Sequence, residues 1–229
     1  MASGEARADE LLLLYGGTFD PVHHGHLAIA RSARDRLDTV VNLMPAADPP
    51  HRSLPGANAG HRANMLDLAV SSEPGLVVDR RELVRSGRSY TVDTLRELRA
   101  RAPQSRPVAL LLGADSFAGL PQWKQWRALF GLAHFVVAER PGSDLAAGLA
   151  AELAAELAAR ETADPQRLRT RLSGAVLRLH QPLIAASATQ VRQAIAAGGD
   201  WQALVPASVA EYIVHHRLYA AEGAASAPL

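Results

Sequence analysis

The chain has 229 residues, with 24 Lys or Arg against 23 Asp or Glu and a net charge of +1. That balance gives no basic footprint for nucleic acid or an anionic membrane surface, and the absence of cysteine excludes a disulfide scaffold and a Cys-based zinc site. No apolar run approaches the roughly 20 residues that cross a bilayer, and the polar start MASGEARADE lacks the apolar region of a signal peptide, so the expectation is a cytoplasmic protein.

Residues 1–10 read as a disordered tail. Leu11–Tyr15 then opens a series of short apolar runs: Val40–Met44, Leu76–Val78, Val108–Leu112, His134–Ala138 and Val176–Leu179. Runs of this kind, bounded by Gly, Pro or charge, predict strands buried on both faces of a parallel sheet. Between them, Leu27–Leu37, Ala59–Ser72, Thr91–Ala102 and Leu145–Arg160 have helical length and amphipathic patterning. The alternation predicts an α/β fold with a Rossmann-like, doubly wound parallel sheet. Its core spans 11–185, a small helical cap spans 186–219, and a flexible tail spans 220–229. The Pro/Gly-rich stretch PAADPPHRSLPGANAG (45–60) is too long for a simple connection and has the character of a functional loop. The Ala-Glu-Leu stretch 145–162 says little beyond helix.

Immediately after the first apolar run comes GGTFDPVHHGH (16–26). Strand, double glycine and helix in succession place a ligand at the carboxyl end of the first strand. Glycines there let the backbone approach a phosphate, and N–H groups at a helix start favour an anion. The stretch is neither GxGxxG nor a P-loop with its Lys-Ser/Thr. His23 and His26 are spaced i, i+3 and share a face if the helix starts here, while Gly25 leaves room for a bulky ligand. Two imidazoles beside such a backbone can donate hydrogen bonds to phosphoryl oxygens as charge builds in a transition state. His24 faces elsewhere. A metal pair and a pair of helix caps are the competing uses of His23 and His26. No cysteine or carboxylate motif nearby completes a metal set, and the double glycine with the Asp20-Pro21 turn favours the phosphate. Later, ASATQVRQAI (186–195) offers Ser187 as an N-cap, Thr189 in the first turn and Arg192 one turn on, which alone is an ordinary helix start.

GGTFDPVHHGH resembles the signature of the HxGH nucleotidyltransferases, a Rossmann-like superfamily that moves AMP or CMP onto a phosphate-bearing acceptor by in-line attack on an α-phosphate. The resemblance implies that Gly16, Gly17, Thr18, Phe19, His23, Gly25 and His26 hold ATP, with His23 and His26 stabilising the transition state. Mg2+ would arrive with ATP rather than in a protein cage, and no tightly bound organic cofactor is implied. Residues 186–192 are similar to the family's Ile-Ser-(Ser/Ala)-Thr-x-(Ile/Val)-Arg motif, with Ala186 where Ile is expected. By that likeness Ser187, Thr189 and Arg192 close over ATP, Arg192 answering the β- and γ-phosphates.

PPHR (49–52), SYTVDTL (89–95), GADSFAGLPQWKQW (113–126), ERPG (139–142) and LVPASVAEYIVHHRLY (204–219) resemble the bacterial nicotinate mononucleotide adenylyltransferases, where the first three surround the acceptor. The residue chemistry suits such a ligand. Trp123 offers a flat face to a pyridinium ring, with Trp126 turned to the core. Tyr90, Thr91 and Val92 at a helix start present N–H groups to a carboxylate. His51 and Arg52 add positive charge, and the likeness adds the backbone N–H of Lys124. Gly113 and Asp115 end the fourth strand, where Asp115 can accept ribose hydroxyls or cap the next turn. Arg140 is an ATP-site candidate or a solvated charge. The implied reaction joins AMP from ATP to nicotinate mononucleotide, giving deamido-NAD and pyrophosphate. Nicotinamide mononucleotide and phosphopantetheine are alternative acceptors, although phosphopantetheine enzymes carry Thr at the place of His23. A non-catalytic nucleotide sensor is the alternative of another class; it should have lost one of His23, His26, Ser187, Thr189 or Arg192. The pattern leaves a homo-oligomer open.

Overall fold

The computed structural model describes residues 10–47, 56–85, 89–101, 105–139, 145–182 and 184–220. Its strands are β1 (Leu12–Gly17), β2 (Val41–Pro45), β3 (Leu76–Val78), β4 (Val108–Gly113), β5 (His134–Glu139), β6 (Glu161–Thr162) and β7 (Val176–His180). All pair in parallel, in the order β3-β2-β1-β4-β5-β7-β6. The chain winds outward from β1 to β3, then returns to lay β4 against the other edge of β1, with Leu12 opposite Val108 and Tyr15 opposite Leu111. Such a reversal opens a crevice beyond the strand carboxyl ends, where α/β sheets bind ligands. Gly16, Gly17 and Gly113 end the two strands that border it.

The helices are α1 (His24–Leu37), α2 (Ala59–Val70), α3 (Thr91–Arg101), α4 (Ala114–Ala118), α5 (Trp126–Leu132), α6 (Ala151–Arg160), α7 (Arg167–Thr170), α8 (Ala188–Ala196) and α9 (Ala207–His215). They explain why the strands read as unbroken apolar runs. Alternate residues feed two separate core layers. Leu13, Tyr15, Ala109, Leu111, Val136 and Ala138 face one layer with Leu27 of α1, Leu66 of α2, Val191 of α8 and Ile213 of α9. Leu12, Leu14, Leu110, Leu112, Phe135 and Val137 face the other with Leu95 of α3, Phe130 of α5 and Leu153 of α6. Each Leu, Val, Ile or Phe among them, fully buried, contributes about 1.5–3 kcal/mol. The α8 and α9 helices therefore close a layer of the main core.

Every expected strand is present, with ends within two residues of the apolar runs. The first continues through both glycines, so Gly16 and Gly17 belong to β1 rather than to the loop. The helix expected over Leu145–Arg160 begins only at Ala151. Gly148 takes a left-handed φ of 81°, which ends the preceding turn and lets Leu145 drop into the core. The two-residue β6 is too short to show a period. PPHR with His51 and Arg52, Arg140, residues 1–9 and the tail from 221 lie outside the described residues. Among the described residues no helix is long and apolar enough to cross a membrane.

Candidate active site

The α1 helix starts where two imidazoles cap it. His23 has extended backbone, and its Nδ1 accepts the Gly25 N–H at 3.1 Å. Reciprocally, His26 Nδ1 accepts the His23 N–H at 3.3 Å, which closes a capping box. The rings stack with centroids 3.7 Å apart. Capping, the competing use weighed in the sequence, is thus one job of these side chains, and it decides what the other edge of each ring offers. A ring that accepts at Nδ1 carries its proton on Nε2. Burial, aided by the neighbouring His24, lowers the His23 pKa to about 4. At neutral pH His23 is an uncharged ring with a fixed Nε2–H donor.

The glycines around this cap make room first for protein atoms. A Cβ on Gly17 would come within 2.9 Å of the Phe19 ring. Phe19 turns back through a left-handed φ of 51°, a strained conformation for a bulky residue. Its buried ring packs edge-on against Tyr15 and His26, at 5.4 and 5.0 Å between centroids. A Cβ on Gly25 would stand 3.0 Å from the His23 ring and 3.1 Å from the Ala186 carbonyl. The cap and the segment entering α8 thus fill the direction a side chain on Gly25 would take, while the glycine itself still borders the larger cavity of the crevice.

At the start of α8, Ser187 Oγ accepts the Gln190 N–H at 3.2 Å, the expected N-cap. Arg192 follows a turn later. Its guanidinium donates to the Asp20 carbonyl at 2.6 Å, lies 3.7 Å from the Asp20 carboxylate and reaches Thr189 Oγ1 at 3.5 Å. Asp20, read from sequence only as half of a turn, is a buried hub. Its carboxylate accepts from the Gly56 and Ala57 N–H groups at 2.8 and 3.0 Å and from the Tyr219 hydroxyl at 2.8 Å. Fully buried Arg62 braces the same region. It donates to the carbonyls of Thr18 and Ala46 at 2.6 Å, Ala47 at 3.1 Å and Ala57 at 3.2 Å. Sequence reasoning missed Arg62 and Tyr219. For Arg62 the signal was its place on the apolar stripe of α2 with Met65, Leu66 and Ala69.

Two adjoining cavities lie in the crevice. The larger, about 620 Å³, is lined by Gly16–Phe19, His23, Gly25 and His26 on one side, by Gly113 beside them, and by Ser187, Thr189 and Arg192 across from them. The smaller, about 270 Å³, is lined by Tyr90, Thr91 and Val92 at the start of α3 and by Trp123 and Lys124 before α5. Gly16–Thr18 and Asp115–Ser116 border both. Every described site residue expected from sequence falls on one of these walls, and His24 lines neither. Gly113, not Asp115, is the N-cap residue of α4, which leaves the Asp115 side chain in the first turn. Trp123 is half-buried at the cavity, whereas Trp126 is buried and meets Phe130 edge-on at 6.3 Å. Lys124 Nζ binds Asp93 at 2.8 Å and stands 4.6 Å over the Tyr90 ring, tying the Trp123 segment to α3.

The first bonds of α3 run from the Asp93 and Thr94 N–H groups to the Tyr90 carbonyl. The Thr91 and Val92 N–H groups stand ahead of them, at the positive end of the helix. Sequence reasoning also passed over Glu82 and the side chain of Ser89, both buried and both on this wall. Thr94 Oγ1 donates to Glu82 at 2.8 Å, and burial raises the Glu82 pKa. Ser89 Oγ is buried without a hydrogen-bond partner among the described residues. Among those residues there is also no group of three or more His, Cys, Asp or Glu able to hold a metal ion.

A doubly wound sheet with imidazole, hydroxyl and guanidinium donors around one chamber, and a second chamber opening beside it, defines a nucleotidyltransferase of the Rossmann-like class. A family model described as cytidylyltransferase-like matches residues 14–194, and the chain belongs to that family. It is 58% identical over 214 residues to "Probable nicotinate-nucleotide adenylyltransferase" of Stenotrophomonas maltophilia (strain K279a), covering 91% of this chain and 96% of that protein. It is 48% identical to the protein of the same name in Xylella fastidiosa (strain 9a5c), over 91% of this chain and 96% of that one. The nicotinic acid mononucleotide adenylyltransferase of Plasmodium falciparum, solved with NaAD, shares the fold at a TM-score of 0.68 and 16% identity, covering 92% of this chain and 97% of that one.

Proposed function

We propose that the protein transfers AMP from ATP to nicotinate mononucleotide, giving deamido-NAD and pyrophosphate in NAD synthesis. The observation that carries this reading is the shared wall of the two cavities at Gly16–Thr18 and Asp115–Ser116. Two substrates seated on either side of that wall meet where the transfer must occur. A 5′-phosphate oxygen of the mononucleotide attacks the α-phosphorus of ATP. The new P–O bond forms as the bond to the bridging oxygen breaks, and pyrophosphate leaves with that electron pair. No covalent enzyme intermediate is needed, so catalysis consists of positioning and charge stabilisation.

The Nε2–H donors of His23 and His26 serve the α-phosphate oxygens, where charge accumulates. Because the caps fix both rings, these donors need no reorganisation during the step. Ser187, Thr189 and Arg192 serve the β- and γ-phosphates, and Arg192 meets the charge that grows on departing pyrophosphate. Mg2+ enters with ATP as part of the substrate, its ligands supplied by phosphate and water oxygens. In the smaller cavity Trp123 stacks on the pyridine, and the Thr91 and Val92 N–H groups, with that of Lys124, receive its carboxylate. Asp115, on the common wall, accepts ribose hydroxyls. The same reading puts the reaction in the cytoplasm; among the described residues no helix is long and apolar enough to cross a membrane.

Steady-state kinetics with nicotinate and nicotinamide mononucleotides test the acceptor. Donors that a carboxylate satisfies are left poorly matched by an amide NH2, so kcat/KM should favour the acid by at least about a hundredfold. Equal kcat/KM for the two would sink the nicotinate assignment.

A further inference from the structure

We infer that Tyr219 and Asp20 are positioning residues of the triphosphate subsite, acting through Arg192; the inference rests on the role proposed above for Arg192. The question is how a guanidinium can be tethered beside a buried carboxylate and still have its charge available to a ligand. The two oxygens of Asp20 are divided among their donors. Oδ1 takes the Ala57 N–H and the Tyr219 hydroxyl, and Oδ2 takes the Gly56 N–H. With three neutral donors at 2.8–3.0 Å, the carboxylate keeps Arg192 only at 3.7 Å. Arg192 is anchored by the neutral Asp20 carbonyl at 2.6 Å and remains about one third exposed on the wall of the larger cavity.

Tyr219 is built into this arrangement from two sides. Burial first, and the adjacent Asp20 charge second, push its phenol pKa upward, so the hydroxyl stays a donor. Its backbone is left-handed at φ 66°, and its ring packs against Gly56, where an added Cβ would come within 3.0 Å of it. That same Cβ would be 3.5 Å from Arg192 Cδ, so Gly56 is the gap between the ring and the arginine. Removing the hydroxyl frees one lone pair of Asp20. The carboxylate then turns to the nearest cation and draws Arg192 into a close pair that ATP must break.

The test is a double-mutant cycle of Tyr219→Phe and Arg192→Ala in the full chain. It is read by the Kd of an α,β-methylene ATP analogue, which needs no turnover, and by the KM of both substrates where turnover is measurable. Tyr219→Phe should weaken the analogue and raise the ATP KM about tenfold, leave the mononucleotide KM within about twofold, and have no effect in the Arg192→Ala background. A merely structural role would lower the melting temperature without this split between substrates. If Tyr219→Phe is too unstable to assay, Gly56→Ala, whose methyl presses on the same ring from the cavity wall, should reproduce the split and lose it in the Arg192→Ala background. An unchanged analogue Kd in Tyr219→Phe, or an equal loss in the Arg192→Ala background, would overturn the inference while leaving Arg192 in place. An Arg192→Ala protein with unaltered Kd and kcat would instead remove Arg192 from the triphosphate site.

Discussion

His23 is asked to accept a hydrogen bond on one nitrogen and to donate from the other. Its identity was legible in the sequence because both demands fall on one local stretch, GGTFDPVHHGH. What the stretch could not say is that the cap and the proposed donor are the same ring, since that depends on which nitrogen faces the Gly25 N–H. The two roles separate by mutation. Asn at position 23 keeps an N-cap acceptor but has no Nε2–H. His23→Asn should therefore hold stability within about 1 kcal/mol while lowering kcat about a hundredfold. Chemical denaturation beside steady-state kinetics checks it, and near-normal turnover would reduce His23 to a cap. The pH response follows from the same burial. The folded pKa of about 4 lies below the ordinary imidazole value of 6.5, so the unfolded chain binds more protons between the two. Stability contributed by neutral His23 is complete above pH 6.5 and declines as pH falls toward 4. His23→Asn should flatten that part of the stability curve.

At the scale of elements, strands were easier to read than helix boundaries. A strand buried on both faces must be apolar at every position, as LLLLY and VALLL are, whereas the start of α6 depends on one left-handed glycine among good helix formers. The α2 helix shows a subtler limit. Its stripe of Arg62, Met65, Leu66 and Ala69 is buried, yet an arginine in an amphipathic helix ordinarily reads as solvated. Only the fold brings the Thr18, Ala46, Ala47 and Ala57 carbonyls around it. Those carbonyls come from the loops after β1 and β2 and from the residue before the α2 cap, so Arg62 fixes the floor of the site. Lys offers three donors on a single point rather than a planar fork. Arg62→Lys should leave some of these acceptors unmatched, lower the unfolding free energy by about 2–4 kcal/mol and weaken binding of both substrates. A stability change below about 0.5 kcal/mol would show that the fork is dispensable.

Across the whole molecule, the residues sequence reasoning found belong to short motifs, and those it missed act across the fold. Tyr219 meets Asp20 from 199 positions away, a pairing that no local spacing encodes. The family resemblance of the motifs likewise implied how residues divide between the two chambers but not their common wall, which exists because β1 and β4 are neighbours in the sheet. That wall makes a further prediction. Trp123 borders only the smaller cavity and Thr189 only the larger, whereas Asp115 borders both. Trp123→Ala should raise the mononucleotide KM about 3- to 10-fold, the scale of one aromatic contact, with the ATP KM unchanged. Thr189→Ala should do the reverse, and the double variant should show the two effects as independent free energies, additive to within about 0.5 kcal/mol. Asp115→Asn, by contrast, should disturb both constants because its side chain stands where the substrates meet. Measuring the two KM values across these four variants decides the matter. If Trp123→Ala and Thr189→Ala each moved both constants, the chambers would be one site, and the division of the residues between nucleotide and acceptor would have to be redrawn.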